Sequence, residues 1–320
     1  YSESWGPHTA TTGLDMSGEG GMVWTKPRAS GNHYLYDTER GATKALSPDQ
    51  TAAEATVSLG LKSFTSTGFT FYLSHAPGPT NSNVWWSWRK QPGFFDIVTY
   101  TGNDTARTIS HNLGTTPGMI IVKSLDQQYN WTVYHRSMGG YNYYNHLNTQ
   151  YNFNNTAVWN AAPTDSVFSV GTSANTNYNG DTYVAYLFAH DAQDFGDNSD
   201  EAIIKCGSYT GTGSYSSPPV INLGFEPQWV MLKNVTSSGD WVICDVMRGA
   251  TSQIVGTAGN AQRLNANNSN AETAYTGGYI PVSPTTTGFT MSIDGQEGNG
   301  SGETYIYMAI RRPHKPASEF

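Results

Sequence analysis

An aspartate–arginine pair at a fixed spacing occurs twice and is the first candidate for chemistry in this sequence. The pattern Asp-x-x-Arg-Gly covers residues 37–41 and 245–249. The closing glycine favours a turn with positive φ, across which the two charged side chains can pair. In the alternative interpretation, Arg40 and Arg248 present their guanidinium groups to a ligand.

Three tryptophans followed by an arginine form the second candidate site: Trp85, Trp86, Trp88 and Arg89. On a strand, Trp86 and Trp88 point to one face and Trp85 to the other. One face belongs to a core. The other is either an exposed platform for sugar rings or an interface between packed domains. These four residues and the two arginines above are the candidate ligand-binding residues.

An acidic stretch over residues 191–201, DAQDFGDNSDE, is a weak candidate for a metal site. Its carboxylates include Asp194, Asp197 and Asp200, and hard oxygen ligands of this kind suit calcium. The order of an EF-hand loop is absent, which favours a solvated linker. We therefore predict no metal and no cofactor.

The patterns of common catalytic sites are absent from the sequence. It contains no G-x-S-x-G, no H-E-x-x-H and no phosphate-binding glycine loop. Glycoside hydrolysis needs two carboxylates at a set separation. Asp37 and Asp245 occupy matching positions, but His135 stands at the third, and a catalytic acid is not usually repeated and then lost. We predict that the protein is not an enzyme.

The bulk composition limits the partners of the protein. Charged residues and aromatic residues each make up 13%, which argues against disorder. The net charge of -8 gives no reason to expect nucleic-acid binding, and no apolar run is long enough to insert in a membrane. Cys206 and Cys244 lie in apolar runs and are interpreted as small buried residues, with their pairing left open.

The elements that must position these residues recur three times. A lysine closes an apolar run in each copy: Lys26, Lys123 and Lys233. A polar residue follows each lysine by 11, 12 and 12 residues, respectively: Asp37, His135 and Asp245. A phenylalanine precedes the closing strand by 15 or 16 residues: Phe69, Phe168 and Phe289. Register kept over three copies indicates tandem homologous units.

The repeat is interpreted as three domains covering residues 1–92, 93–196 and 197–320. Runs rich in β-branched and aromatic residues, separated by Gly, Asn and Ser, predict an all-β fold. Each copy is long enough to bury its own core. We therefore predict three tandem β-sandwich domains of jelly-roll-like form, with a C-terminal tail on the last.

Several segments resemble a repeated domain of virion proteins from marine and freshwater tailed phages, especially cyanophages. They are FFDIVTYTGN, HNLGTTPGMIIVK, TYVAYLFAHD, INLGFEPQWVMLKN and YIYMAIRRP, and the most specific match is WSWRKQPGFFDIVTYTGN. The resemblance covers nearly all of the chain and is weaker before about Gly60. It implies β-rich domains, a virion-surface or extracellular location and homo-oligomeric assembly, and it brings no catalytic residues.

The first functional hypothesis is a non-enzymatic tail fibre or appendage subunit that contributes to attachment at host-surface glycans. Its expected partners are itself, other virion proteins and host polysaccharide. The alternative is a capsid decoration or knob, or a subunit of an extracellular filament, without a receptor role. A polysaccharide-degrading tailspike is disfavoured, because tailspikes usually show β-helix repeats much shorter than these.

Overall fold

Antiparallel strands dominate the protein, and the all-β class predicted from the sequence is confirmed. Residues 1–92, 93–196 and 197–320 are called the first, second and third segments below. The computed structural model describes residues 6–72, 83–151, 154–155, 158–190, 202–214, 216–250, 262–274, 282–291 and 297–311.

The first segment contains a large sheet of order β3-β2-β8 and a small sheet of order β1-β7-β6. A bridge between Leu35 and Leu46 continues the large sheet toward the pair β4–β5. The strands are β1 (His8–Thr11), β2 (Gly21–Pro27), β3 (Tyr34–Asp37), β4 (Lys44–Ala45), β5 (Ala55–Thr56), β6 (Leu61–Thr65), β7 (Gly68–Phe71) and β8 (Asn83–Arg89).

The second segment contains a six-stranded sheet of order β14-β13-β12-β11-β16-β9 and a two-stranded sheet, β10-β15. Its elements are β9 (Phe95–Thr101), β10 (Arg107–Ser110), β11 (Met119–Ser124), β12 (Thr132–His135), β13 (Tyr143–His146), β14 (Asn154–Asn155), β15 (Val167–Val170), helix α1 (Ala174–Asn177) and β16 (Thr182–Phe188).

The third segment contains a six-stranded sheet of order β17-β25-β19-β20-β21-β22 and a three-stranded sheet of order β18-β24-β23. Its elements are β17 (Ile204–Thr210), β18 (Val220–Asn222), β19 (Pro227–Asn234), β20 (Trp241–Asp245), a 3-10 helix (Val246–Arg248), β21 (Gln262–Asn265), β22 (Thr273–Ala274), β23 (Ser283–Thr285), β24 (Gly288–Thr290) and β25 (Thr304–Arg311).

The same strand order recurs in the three large sheets. The strand whose next-to-last residue is the landmark lysine lies between the following strand and the closing strand of its segment. The register is also the same, because Lys26, Lys123 and Lys233 face Val84, Val184 and Ile306, respectively. The division into three domains remains a prediction, but equivalent positions can now be assigned by strand pairing.

The central strands β2, β11 and β19 of the large sheets are buried on both faces, which explains their nearly continuous apolar sequences. Alternate residues of β19 separate into two clusters. Trp229 and Met231 join a central cluster, whereas Val230 and Leu232 pack with the small sheet of the third segment. In β2, Trp24 likewise joins the central cluster, while the residue before it belongs to the core of the first segment.

The central cluster takes apolar residues from all three segments. Trp88 of the first segment packs edge-to-face on Trp229 of the third at 5.6 Å and on Phe188 of the second at 6.3 Å between ring centroids. The first and third segments keep clusters of their own beside it. The three segments therefore share one core, and the buried apolar residues of the small sheet of the second segment belong to it as well.

Helix α1 has four residues, and nowhere in the described chain is there a helix long and apolar enough to cross a membrane.

Candidate functional site

Two tryptophans donate hydrogen bonds from one segment to the next. Trp131 directly precedes β12 of the second segment, and its Nε1 donates to the carbonyl oxygens of Ser47 at 3.1 Å and Gln50 at 3.0 Å. Trp241 has the equivalent place in the third segment, and its Nε1 donates to the carbonyl of His146 at 2.9 Å. Both indoles are fully buried, so these contacts satisfy groups that water cannot reach.

His33 makes the corresponding contact in the first segment. Its Nδ1 accepts a hydrogen bond from Trp24 Nε1 at 2.9 Å, so the proton of the neutral ring is on Nε2. That nitrogen lies 3.0 Å from the carbonyl of Asn265 and 3.2 Å from that of Asn268. Burial lowers the pKa of His33 to about 3, so the ring is neutral near pH 7.

The three contacts close a cycle. The first segment donates to the third, the third to the second, and the second to the first. Backbone hydrogen bonds accompany the side chains, since Glu54 N–H reaches Leu125 in the second segment and Glu272 N–H reaches Arg28 in the first. We call this set the junction cycle.

The first Asp-x-x-Arg-Gly pattern forms a buried ion-pair turn. Arg40 Nε lies 2.5 Å from Asp37 Oδ2, and one of its amino groups lies 3.2 Å from Glu54. The other amino group donates to the carbonyl of Leu35 at 3.1 Å. Gly41 has a φ of 101°, as a turn glycine requires. The Arg40 side chain is only 1% exposed, so it is part of the framework.

The second copy of the pattern is built in the same way. Arg248 Nε lies 2.6 Å from Asp245 Oδ2, and its amino groups reach Glu272 and the carbonyl of Ile243, each at 3.1 Å. Gly249 has a φ of 99°. The structure thus shows the pairing across a turn, and it leaves neither arginine on the surface for a ligand.

Each of the two aspartates also accepts a hydrogen bond from a neighbouring segment. Tyr186 Oη donates to Asp37 Oδ2 at 2.7 Å, and Trp86 Nε1 donates to Asp245 Oδ2 at 3.1 Å. Tyr186 and Trp86 occupy equivalent positions on their closing strands, two residues after the partner of the landmark lysine. The Asp-x-x-Arg-Gly turns are therefore segment junctions.

His135 stands at the position equivalent to Asp37 and Asp245, and the residues around it differ from those around the two aspartates. The equivalent closing-strand residue in the third segment is Met308, which has no hydrogen to donate, and Met138 replaces the arginine. His135 instead bonds through Nε2 to the carbonyl of Tyr307 at 3.0 Å, while its Nδ1 accepts the N–H of Ser137. Burial lowers the pKa of His135 to about 4, so an uncharged donor replaces the ion pair.

The three landmark lysines lie near the ends of their strands, inside the protein. Each ammonium group donates to the carbonyl oxygen of the last residue of its strand and to a second carbonyl oxygen outside the strand, as Lys123 does to Ser124 at 2.7 Å and Gln127 at 2.8 Å. Lys233 also reaches Gln150 of the second segment at 3.3 Å. Burial lowers the pKa of each lysine to about 8, and the carbonyl groups take the place of water around the charge.

The tryptophan cluster divides between two cores. Trp86 and Trp88 lie in the shared central cluster and are 8% and 5% exposed. Trp85 packs on Phe69 and Phe71 of its own segment, with centroids 5.4 and 4.6 Å away. These contacts correspond to the domain-packing interpretation. Arg89 donates to the side chain of its neighbour Gln91 at 2.6 Å.

The remaining candidates supply no reactive centre in the described part of the chain. Asp194, Asp197 and Asp200 lie outside the described residues. Elsewhere, no three His, Cys, Asp or Glu side chains are grouped to hold a metal ion. Cys206 and Cys244 are unpaired buried thiols, as interpreted from the sequence, and burial raises the pKa of both.

We expect His135→Asp to lower the free energy of unfolding by about 3 kcal/mol or more, because the carboxylate would be buried at a position where Met138 replaces the arginine that pairs with Asp37 and Asp245. The triple variant His135→Asp/Met138→Arg/Met308→Tyr rebuilds the arrangement of Asp37, Arg40 and Tyr186 and should recover at least part of the loss. Urea unfolding measures both values. A single variant as stable as the parent would refute this account of the junction.

Stability should fall as the pH drops from 6.5 toward 4. The folded-state pKa values of His33 and His135, about 3 and 4, lie below the ordinary value of 6.5. In that window the unfolded chain binds protons that the folded chain does not, so the contribution of these residues is complete above pH 6.5 and is lost below it.

His135→Gln tests this dependence, because the amide can still donate to the Tyr307 carbonyl but does not titrate. Calorimetric Tm values between pH 7.5 and 4.5 should decline less steeply for this variant than for the parent. Equal slopes would show that the imidazole makes no contribution.

Comparison with known proteins gives one family. A family model described as Domain of unknown function (DUF7483) matches residues 4–313. No curated protein and no solved structure matches the chain. The matched residues extend over all three segments, and the shared core also takes residues from all three. The chain belongs to the DUF7483 family.

Proposed function

We propose that the protein is a non-enzymatic structural protein of a tailed-phage virion, a tail fibre or appendage subunit that contributes to attachment at host-surface glycans. The observation that carries the proposal is the junction cycle with its ion-pair turns. The two candidate arginines with their aspartates, and the two donor tryptophans, are buried and bonded to atoms of the framework. Such an arrangement favours a role as a rigid scaffold that carries binding surfaces elsewhere on the protein.

The sequence stretches that resemble virion proteins lie in the strands of this framework. The most specific of them, WSWRKQPGFFDIVTYTGN, covers most of β8 and all of β9 at the passage from the first segment to the second. TYVAYLFAHD covers β16, and YIYMAIRRP covers most of β25. The resemblance therefore concerns the strands of the shared core, which favours a common architecture with ligand contacts supplied by loops.

Three exposed tyrosines of the second segment are individually suited to contact with sugars. Tyr141, Tyr151 and Tyr178 are 43%, 73% and 46% exposed and lie in loops. A phenol ring offers a flat apolar face and a polar edge, which suits contact with a sugar ring. One such contact is weak, but many subunits on one particle raise the effective concentration of sites.

Immunogold labelling of intact particles, combined with binding of the assembled protein to host-surface polysaccharide, tests this proposal. Labelled tail appendages and saturable binding are expected. The double variant Tyr141→Ala/Tyr151→Ala should weaken binding about tenfold or more with unchanged Tm. Leu59→Ala is the matched control, because Leu59 is 50% exposed and lies in the first segment.

Label on the capsid, with no polysaccharide binding, would overturn the attachment role in favour of a decoration protein. Release of oligosaccharides from the polysaccharide would overturn the non-enzymatic assignment.

A further inference from the structure

A small cavity lies between the two sheets of the first segment. It lies over β2, the middle strand of the large sheet, and both strands that pair with β2 contribute residues to its wall. Gly60, just before β6, and Tyr72, just after β7, border it on the side of the small sheet. The other residues that decide its chemistry are Tyr34, Tyr36, Asn83 and Trp85. We call this cavity the β2 slot.

The first segment has a shorter residue beside the slot than the other two segments have at the same position. The register that aligns the three landmark lysines also aligns Asn83 with Tyr183 and Tyr305, both of which are completely buried. Tyr183 Oη donates to the carbonyl of Ala174 at 2.7 Å, and Tyr305 Oη accepts the N–H of Gly300 at 2.8 Å. Asn83 has no ring to fill the corresponding space, and it borders the slot instead.

Close packing fixes the walls of the slot. Tyr36 is 1% exposed, and a Cβ added to Gly60 would lie 2.3 Å from its hydroxyl oxygen. The Trp85 ring packs on Phe71, with ring centroids 4.6 Å apart. Because these contacts hold the walls in place before a ligand arrives, the entropic cost of ordering the site is small.

Three polar groups of the wall make no hydrogen bond with any residue that the structure describes. They are the side-chain amide of Asn83, the hydroxyl of Tyr72 and Nε1 of Trp85. All three side chains are partly buried, and none of these polar atoms is sealed from solvent. The wall therefore offers N–H and O–H donors together with an amide oxygen acceptor.

The size and lining of the slot favour a methyl group. The slot has room for one group about the size of a water molecule. A buried water needs about two to four polar partners, whereas the lining of this slot is mostly apolar. A methyl group therefore fits the slot better than water does. The donors and the acceptor of the wall match an amide joined to that methyl, and the two together make an acetamido group.

We propose that the β2 slot binds the acetamido group of a 2-acetamido sugar in a host-surface glycan. The methyl enters the slot, the amide bonds with Asn83, and the apolar face of the pyranose ring lies against the aromatic side chains of the wall. The choice of a sugar rests on the proposed function. The slot is a second contact, in a different segment from the exposed tyrosines, and linked contacts raise the effective concentration of each other.

A series of three sugars tests the size and chemistry of the slot. The probes are the methyl glycosides of N-acetylglucosamine, N-propionylglucosamine and glucose, each titrated into the ¹⁵N-labelled 320-residue chain. The N-acetyl sugar should shift the indole N–H resonance of Trp85 saturably. The N-propionyl sugar should bind about tenfold more weakly, because its extra methylene exceeds the room in the slot. The glucoside, which has no acetamido group, should leave the resonance in place.

Variants at Asn83 test the same site from the side of the protein. Asn83→Tyr introduces the residue type of the other two segments, fills the slot and should abolish the shift with an equal or higher Tm. Asn83→Asp keeps the size of the side chain but loses its N–H donors, and it should weaken binding about tenfold. Tyr151→Ala is the matched control, because Tyr151 is 73% exposed in the second segment, and it should leave the titration unchanged.

Equal affinity for the N-acetyl and N-propionyl sugars would overturn the proposal, as would an equal shift with the glucoside. Binding by Asn83→Tyr as tight as that of the parent would also overturn it. If Asn83→Tyr does not fold, the sugar series on the parent protein still decides. A saturable Trp85 shift without labelled tail appendages would remove only the proposed function, and labelled appendages without a Trp85 shift would remove only this inference.

Discussion

A sheet that is buried on both faces leaves the polar groups at its strand ends without water, and those groups must be satisfied by protein. The central strands of the first and third segments meet that condition with a cluster of their own segment on one side and the shared cluster on the other, and in the second segment the shared cluster includes the small sheet. The buried lysines satisfy carbonyl groups at one end of the sheets. The ion-pair turns and His135 satisfy the groups at the other end.

The junctions vary together in a way that the local sequence does not explain. Where the closing strand carries a donor, Tyr186 or Trp86, the facing turn carries an aspartate whose charge an arginine balances. Where it carries Met308, the facing residue is a neutral histidine bonded to a backbone carbonyl. An unpaired buried charge is costly, so each junction must change as a set.

The β class and the turn at Asp37 could be predicted from the sequence, because the alternation of apolar and polar residues and the positions of glycine are short-range patterns. The spacing of the lysines and phenylalanines likewise predicted the repeat. The sequence offered no comparable signal for the contact of Asp37 with Tyr186, which lies 149 residues away. The eight-residue spacing from Lys123 to Trp131, repeated from Lys233 to Trp241, marked two donors of the junction cycle. The same spacing did not identify His33, because in the first segment a histidine stands where the other two segments have a tryptophan. Trp86 was ambiguous because alternation separates two faces without showing what covers each.

Native-state hydrogen exchange on a Trp131→Phe variant tests the shared core most directly. The substitution removes a hydrogen bond between the second and first segments. The account predicts that the slowest-exchanging amides of β2, β11 and β19, one strand from each segment, lose the same free energy of protection, about 1 kcal/mol or more. Loss confined to β11, with β2 and β19 unchanged, would show that the three segments unfold independently and would contradict it.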